Sequence, residues 1–182
     1  LTFHHIISDG WSNGIFNHEL TICYESYLNN QTPNLVSLPV QYKDYSVWQR
    51  GWLQGEILDK QLSYWQKKLS EVSTLSLPTK PRPKEQSYKG GYYQQHLSQE
   101  LLDKLNQLAR SKNATLFMVL LTAFKGMLSK VCNQTDITIG TPIANRRVSE
   151  TEQLIGFFVN TLVLRTDCSG NPTFGELLHK VE

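Results

Sequence analysis

A group able to take and return a proton at neutral pH appears almost at once in this chain, in the run His4-His5-Ile6-Ile7-Ser8-Asp9-Gly10-Trp11-Ser12. Imidazole has an ordinary pKa close to neutrality, so a positioned histidine serves as general acid or base at cellular pH. Neighbouring side chains of an extended segment point to opposite sides. One of the pair therefore faces a site while the other supports the backbone. Asp9 and the following glycine, free to adopt positive φ, read as a tight turn. The residues before it are apolar and β-prone, which predicts a strand running into that turn. The competing reading is a histidine pair satisfied in a core beside an Asp-Gly turn. A metal site made of His4, His5, Asp9 and His18 is disfavoured, because adjacent histidines diverge and no familiar ligand spacing follows; no metal is expected.

The whole string is more specific than its parts. His-His-x-x-x-Asp-Gly, continued here by Trp11-Ser12, resembles the signature of nonribosomal peptide synthetase condensation domains. Two later stretches match the same family in the same order: Tyr42-Lys43-Asp44-Tyr45-Ser46-Val47-Trp48-Gln49, and Ile155-Gly156-Phe157-Phe158-Val159-Asn160-Thr161-Leu162-Val163-Leu164-Arg165. A single histidine-to-aspartate-glycine motif is shared with chloramphenicol acetyltransferase and related acyltransferases; three motifs in sequence are not.

The resemblance implies a mixed α/β (α+β) fold of the chloramphenicol acetyltransferase type, two lobes with a tunnel between two carrier-docking faces and an incomplete N-terminal lobe. Residues 1–75 would close the N-terminal lobe, 76–90 link the lobes, and 91–182 supply most of the C-terminal lobe. The first part of the domain would be absent, and the fragment alone inactive. The implied reaction is attack of an acceptor aminoacyl amine on a donor peptidyl or aminoacyl thioester, each arriving on the phosphopantetheine arm of a carrier protein, with no cofactor bound directly. Partners would be upstream and downstream peptidyl carrier proteins and an adenylation domain of the same polypeptide.

The family's catalytic histidine maps onto His5, with His4, Asp9 and Gly10 supporting it and Trp11, Ser12 and Asn160 beside the substrate tunnel. Asp9 reads as a brace rather than a base, because a carboxylate beside a turn is usually held by backbone amides or an arginine. Arg146 and Arg147 are both candidate partners. Asn160 has two readings, a hydrogen-bond donor to substrate or a developing oxyanion, or a polar residue satisfying a strand edge. Two rivals remain: an epimerisation domain of the same superfamily, and a non-catalytic carrier-docking module. The motif residues resemble the subtype joining two L-residues, and both His5 and Gly10, which docking modules tend to lose, are present.

Composition narrows the classes further. A net charge of +2 over 182 residues, without a basic run interleaved with aromatics, gives no reason to expect nucleic acid. Cys23, Cys132 and Cys168 are odd in number and widely spaced, so neither a disulfide framework nor a zinc site is expected and a reducing, cytoplasmic compartment fits. No apolar run is long enough to span a bilayer, and no membrane partner is expected.

The positioning elements follow from periodicity. Ser12 is a candidate cap for a helix carrying Phe16, Leu20, Cys23, Tyr24, Tyr27 and Leu28. A helical stretch from Tyr42 places Tyr45, Trp48 and Trp52 on one face and is followed by Leu58, Leu62, Trp65 and Leu69; these tryptophans read as core packing. Ser76 to Lys84 is proline-rich and basic, an extended connector. Tyr92 to Leu97 reads as a strand, Ser98 as a helix cap, and Thr115 as the start of a helix, Leu116 to Val131, that is apolar all round and therefore buried. Ile137 to Gly140 and Phe157 to Arg165 read as strands around a loop, and Thr173-x-x-Glu176 as a capping box.

Overall fold

The computed structural model describes residues 1–80, 84–85 and 87–181. The chain forms two compact units, Leu1–Lys68 with Gly140–Leu162, and Leu69–Ile139 with Val163–Glu182. The chain leaves the first unit after Lys68 and returns to it at Gly140. Within the expected linker, Pro81, Arg82, Pro83 and Gln86 lie outside the described residues.

The first unit holds helices α1 (Gly10–Leu28), α2 (Tyr42–Trp52) and α3 (Gly55–Lys68). Helix α1 starts at a different cap from the one expected. Asp9 is extended at φ −130° and its carboxylate accepts the Ser12 amide, so the charged side chain three residues upstream takes the capping role and Ser12 turns inward. The predicted strand before it does not form. Ile7 N–H donates to the His4 carbonyl at 3.1 Å and Ile6 N–H to His4 Nδ1 at 3.1 Å, which closes a turn instead. A β-prone run needs a partner to satisfy its backbone, and none among the described residues pairs with it. Helix α2 opens on a reciprocal cap, Gln41 N–H donating to Asp44 Oδ2 at 2.8 Å.

The second unit holds α4 (Gln99–Ser111), α5 (Leu116–Cys132) and α6 (Phe174–Val181). Their caps are those read from the sequence: Ser98 accepts the Leu101 amide, Thr115 the Met118 amide, and Thr173 and Glu176 bond reciprocally. Helix α5 packs on α4 and α6. One core cluster joins Leu128, Ile137, Cys168 and Leu177, and another joins Ala109, Val119 and Leu178. Only one face of α5 is buried, and it includes Lys125, whose Nζ donates to the Leu164 carbonyl at 3.0 Å and to Thr166 Oγ1 at 2.6 Å. Phe117, Leu120, Phe124, Met127 and Val131 are exposed, so the expectation of burial all round is corrected. Tyr92 to Leu97 forms no strand and its side chains are exposed, again without a strand to pair with.

Strands β1 (Asp136–Ile143) and β2 (Asn160–Asp167) form a two-stranded sheet. Cys168 N–H donates to the Thr135 carbonyl while a methyl on Gly140 would meet Thr161, so the pairing runs antiparallel. The strands extend beyond or start later than periodicity places them, because pairing rather than composition sets their ends. Among the described residues no single helix is long and apolar enough to cross a membrane.

Ile137 is fully buried in the second unit's core. Ile137→Ala is expected to destabilise the fold by about 2–5 kcal/mol, read as a lowered midpoint in urea unfolding with an unchanged m-value.

Candidate functional site

The buried side chains of the first unit are mostly polar, and they centre on Asp9, which is 3% exposed. Its Oδ1 accepts the Ser12 amide at 2.8 Å, the Ser12 hydroxyl at 2.7 Å and Arg146 Nη2 at 3.3 Å; its Oδ2 accepts the Phe158 amide at 3.0 Å. A carboxylate offers about four lone-pair directions, and here three donors crowd Oδ1 while one meets Oδ2. Ser12, also fully buried, accepts the Gly156 amide at 3.1 Å and Arg146 Nη2 at 2.8 Å. Its one proton has Asp9 Oδ1 and the Gly156 carbonyl, at 2.9 Å, within reach, and the charged oxygen is the stronger acceptor.

Arg146 completes the cluster. Its side chain is 1% exposed, Nη1 donates to the carbonyls of Thr151 and, at 2.7 Å, Leu154, and the guanidinium lies 4.0 Å from the centre of the Phe158 ring. Trp11 stands 5.8 Å from the same guanidinium and donates its indole N–H to the Glu152 carbonyl at 2.8 Å. The two candidate arginines are thus told apart: Arg146 braces Asp9, and Arg147 is exposed. Nothing in a sequence distinguishes adjacent arginines of one loop; only the direction of the side chain does.

Burial alone would raise the pKa of Asp9. The hydrogen bonds from the Ser12 amide and hydroxyl, then that from the Phe158 amide, then the Arg146 charge outweigh it, and the group falls from 3.8 to about 2. Burial pushes the neighbouring Tyr45 phenol up, helped by Tyr42 and opposed by Gln49 and Arg146.

This cluster fixes the segment 156–158 residue by residue. Gly156 is held by Ser12 on one side and has the Tyr42 ring on the other, where a methyl group would fall inside the ring. The Phe157 carbonyl accepts the Tyr42 hydroxyl at 2.8 Å, and the Phe158 ring packs against Tyr42 and Tyr45 with centroids 5.1 and 4.6 Å apart. Tyr42 and Gly156 lie in motifs the sequence exposes, but their mutual contact is not written there.

His5 is exposed and lines a hollow of about 260 Å³ with Phe3, Ser8, Asp9, Gly10 and Asn13. Its ring meets Phe157 edge-on, centroids 5.2 Å apart at 87°. His4 has its Nδ1 on the turn amide of Ile6 and does not line that hollow. His18 is exposed on α1. Asn160 lies elsewhere, in a separate cleft of about 320 Å³ lined by Tyr45, Trp48, Trp52 and Arg147 among others, and its Oδ1 accepts the Thr161 amide at 2.8 Å. Trp48 and Trp52 stack there 5.5 Å apart, with Trp48 half-exposed, so these two are a cleft wall and not the core packing expected of them.

The family model of the condensation domain matches residues 1–182. A subunit of the linear gramicidin synthase of Brevibacillus parabrevis is 53% identical over 98% of this chain, which spans 4% of that relative's length. Malpibaldin synthetase of Mortierella alpina is 46% identical over the whole chain, which spans 3% of it. Among solved structures, the X-domain from teicoplanin biosynthesis superposes with a TM-score of 0.88 at 26% identity, over 98% of this chain and 41% of its own. The epimerization domain from the third module of tyrocidine synthetase B has a TM-score of 0.82 at 17% identity over 98% of this chain and 41% of its own, a likeness of fold alone. The fold is of the chloramphenicol acetyltransferase type, in the mixed α and β class expected.

The depressed pKa of Asp9 makes stability depend on acid. A carboxylate whose folded pKa lies below its unfolded value contributes stability in full above pH 4, and that contribution is lost as pH falls from about 4 through about 2. The Asp9→Asn variant is expected to lose this segment of the stability–pH curve, on the order of 2 kcal/mol, as measured by urea unfolding at stepped pH.

Proposed function

Because the chain belongs to the condensation-domain family, we propose that it forms the peptide bond between two carrier-bound substrates in nonribosomal peptide synthesis. The donor is a peptidyl or aminoacyl thioester and the acceptor an aminoacyl amine, each on a phosphopantetheine arm. Upstream and downstream peptidyl carrier proteins deliver them, and an adenylation domain of the same polypeptide loads the acceptor's carrier. The observation that carries this reading is the contrast between two neighbouring groups. Asp9 is buried, held by four hydrogen bonds and kept ionised, while His5 stands at an open hollow with an imidazole that donates and accepts no hydrogen bond among the described residues.

In this reading His5 takes the proton from the acceptor nitrogen as it attacks the thioester carbonyl, and returns it as the carrier thiolate leaves. Magnitudes limit the role. A free α-amine has a pKa of roughly 7.7 to 8.0, so its ground-state deprotonation at neutral pH costs only about 1 kcal/mol. Proton transfer and alignment in the transition state contribute more, on the order of 10²- to 10⁴-fold. Asp9 and Arg146 brace the start of α1, where Gly10 is the first helical residue and not the positive-φ turn expected of it, His4 closes the turn before it, and Trp11 and Ser12 tie it to the 152–156 segment. Asn160, in the lining of its separate cleft, serves the same tunnel.

A second reading draws on the complex of the teicoplanin X-domain with OxyB, a TM-score of 0.87 at 26% identity, in which a domain of this fold binds another protein. Retention of His5 and Gly10 favours catalysis here. Incubation of the full-length parent protein with loaded donor and acceptor carriers, read by mass spectrometry, separates a dipeptide from an inverted residue or from binding without turnover. In single-turnover measurements the His5→Ala variant is expected to form the amide 10²- to 10⁴-fold more slowly, and an unimpaired rate would falsify the assignment of His5.

A further inference from the structure

The imidazole of His5 has one ring contact among the described residues, the edge-on ring of Phe157 at 5.2 Å, and no hydrogen bond. A catalytic histidine is ordinarily oriented by a hydrogen bond to its second ring nitrogen. Here the ring of Phe157 takes that place, yet Phe157 is itself 41% exposed and cannot be held by burial. Its backbone is held instead. The residue before it donates its N–H to Ser12, the residue after it donates its amide to Asp9, and its own carbonyl accepts the Tyr42 hydroxyl at 2.8 Å. Of these anchors only Tyr42 stands outside the buried Asp9–Ser12–Arg146 cluster. Its ring also lies so close over Gly156 that no side chain fits there, so that one residue sets both the position and the tilt of the segment.

We propose that Tyr42 is a positioning residue for His5, acting through the Phe157 carbonyl and ring. This rests on His5 being the catalytic group of the condensation reaction. Loss of one neutral hydrogen bond loosens the segment without leaving a charge unpaired, so the effect is modest and confined to geometry. It acts on the chemical step and not on carrier binding, since neither Tyr42 nor the Phe157 carbonyl lines the hollow beside His5.

The test uses the full-length parent protein with its loaded carriers. The Tyr42→Phe variant is expected to lower the single-turnover rate about 3- to 10-fold at saturating carrier with an unchanged carrier KM, and Phe157→Leu to lower it by at least as much while Phe157→Tyr preserves it. A readout independent of turnover is the ring-current shift of the His5 Hδ2 and Hε1 protons, assigned by their loss in His5→Ala. Tyr42→Phe is expected to move those resonances and Phe157→Leu to abolish the shift. Unmoved His5 resonances in Tyr42→Phe, or a full rate in Phe157→Leu, overturns the proposal. Activity surviving in His5→Ala overturns instead the catalytic reading beneath it, and leaves the resonances to decide whether Tyr42 positions the ring.

Discussion

The buried Asp9 carboxylate, meeting the start of α1, the 156–158 segment and the Arg146 guanidinium together, is the interaction on which the first unit depends. Four donors from three separate parts of the chain converge on its two oxygens. A buried ion pair is not stabilising merely because it is paired, since desolvation opposes the attraction. Here the remaining bonds decide the balance. Arg146 also satisfies the Thr151 and Leu154 carbonyls and lies against the Phe158 ring, and the carboxylate sits at a helix N-terminus, where the macrodipole favours a negative charge. Removing either partner leaves the other charge uncompensated, which is the costly case.

That arrangement divides labour between residues four apart. Asp9 is buried, accepts four hydrogen bonds from within the fold and is held ionised well below neutral pH, so it serves as a brace. The turn it anchors leaves His5 exposed at a hollow, against a ring carried by the same segment that Asp9 ties down. In the proposed reaction a weakly held imidazole is useful, because it must follow a proton from nitrogen toward sulfur. Its alignment then comes from the Phe157 ring, whose backbone is held, and not from a fixed hydrogen bond.

Much of this is legible in the residues, and the differences have a common cause. Helix caps at Ser98, Thr115 and Thr173 depend on neighbours three residues away, so a short stretch of sequence contains the whole interaction. Strands before His4 and over Tyr92 to Leu97 do not form, because β-prone composition states a preference while a partner strand decides the outcome. Ser12 has every qualification for a cap, and it loses that place to Asp9, whose charge is the better acceptor. The motifs identify Asp9 as a brace and leave Arg146 and Arg147 equal; side-chain direction, which no spacing encodes, separates them. The helix Leu116 to Val131 reads as buried all round, yet one face is exposed and the charged Lys125 lies on the buried one, bonded to β2.

Native-state amide hydrogen exchange tests the central claim most directly, because two of the groups that meet the carboxylate are backbone N–H groups reporting on it individually. The Ser12 and Phe158 amides are predicted to be strongly protected in the parent protein and to lose protection together in Asp9→Ala, although 146 residues separate them in sequence. A Phe158 amide that exchanges as freely as an exposed one in the parent, or that keeps its protection when the carboxylate is gone, contradicts the account.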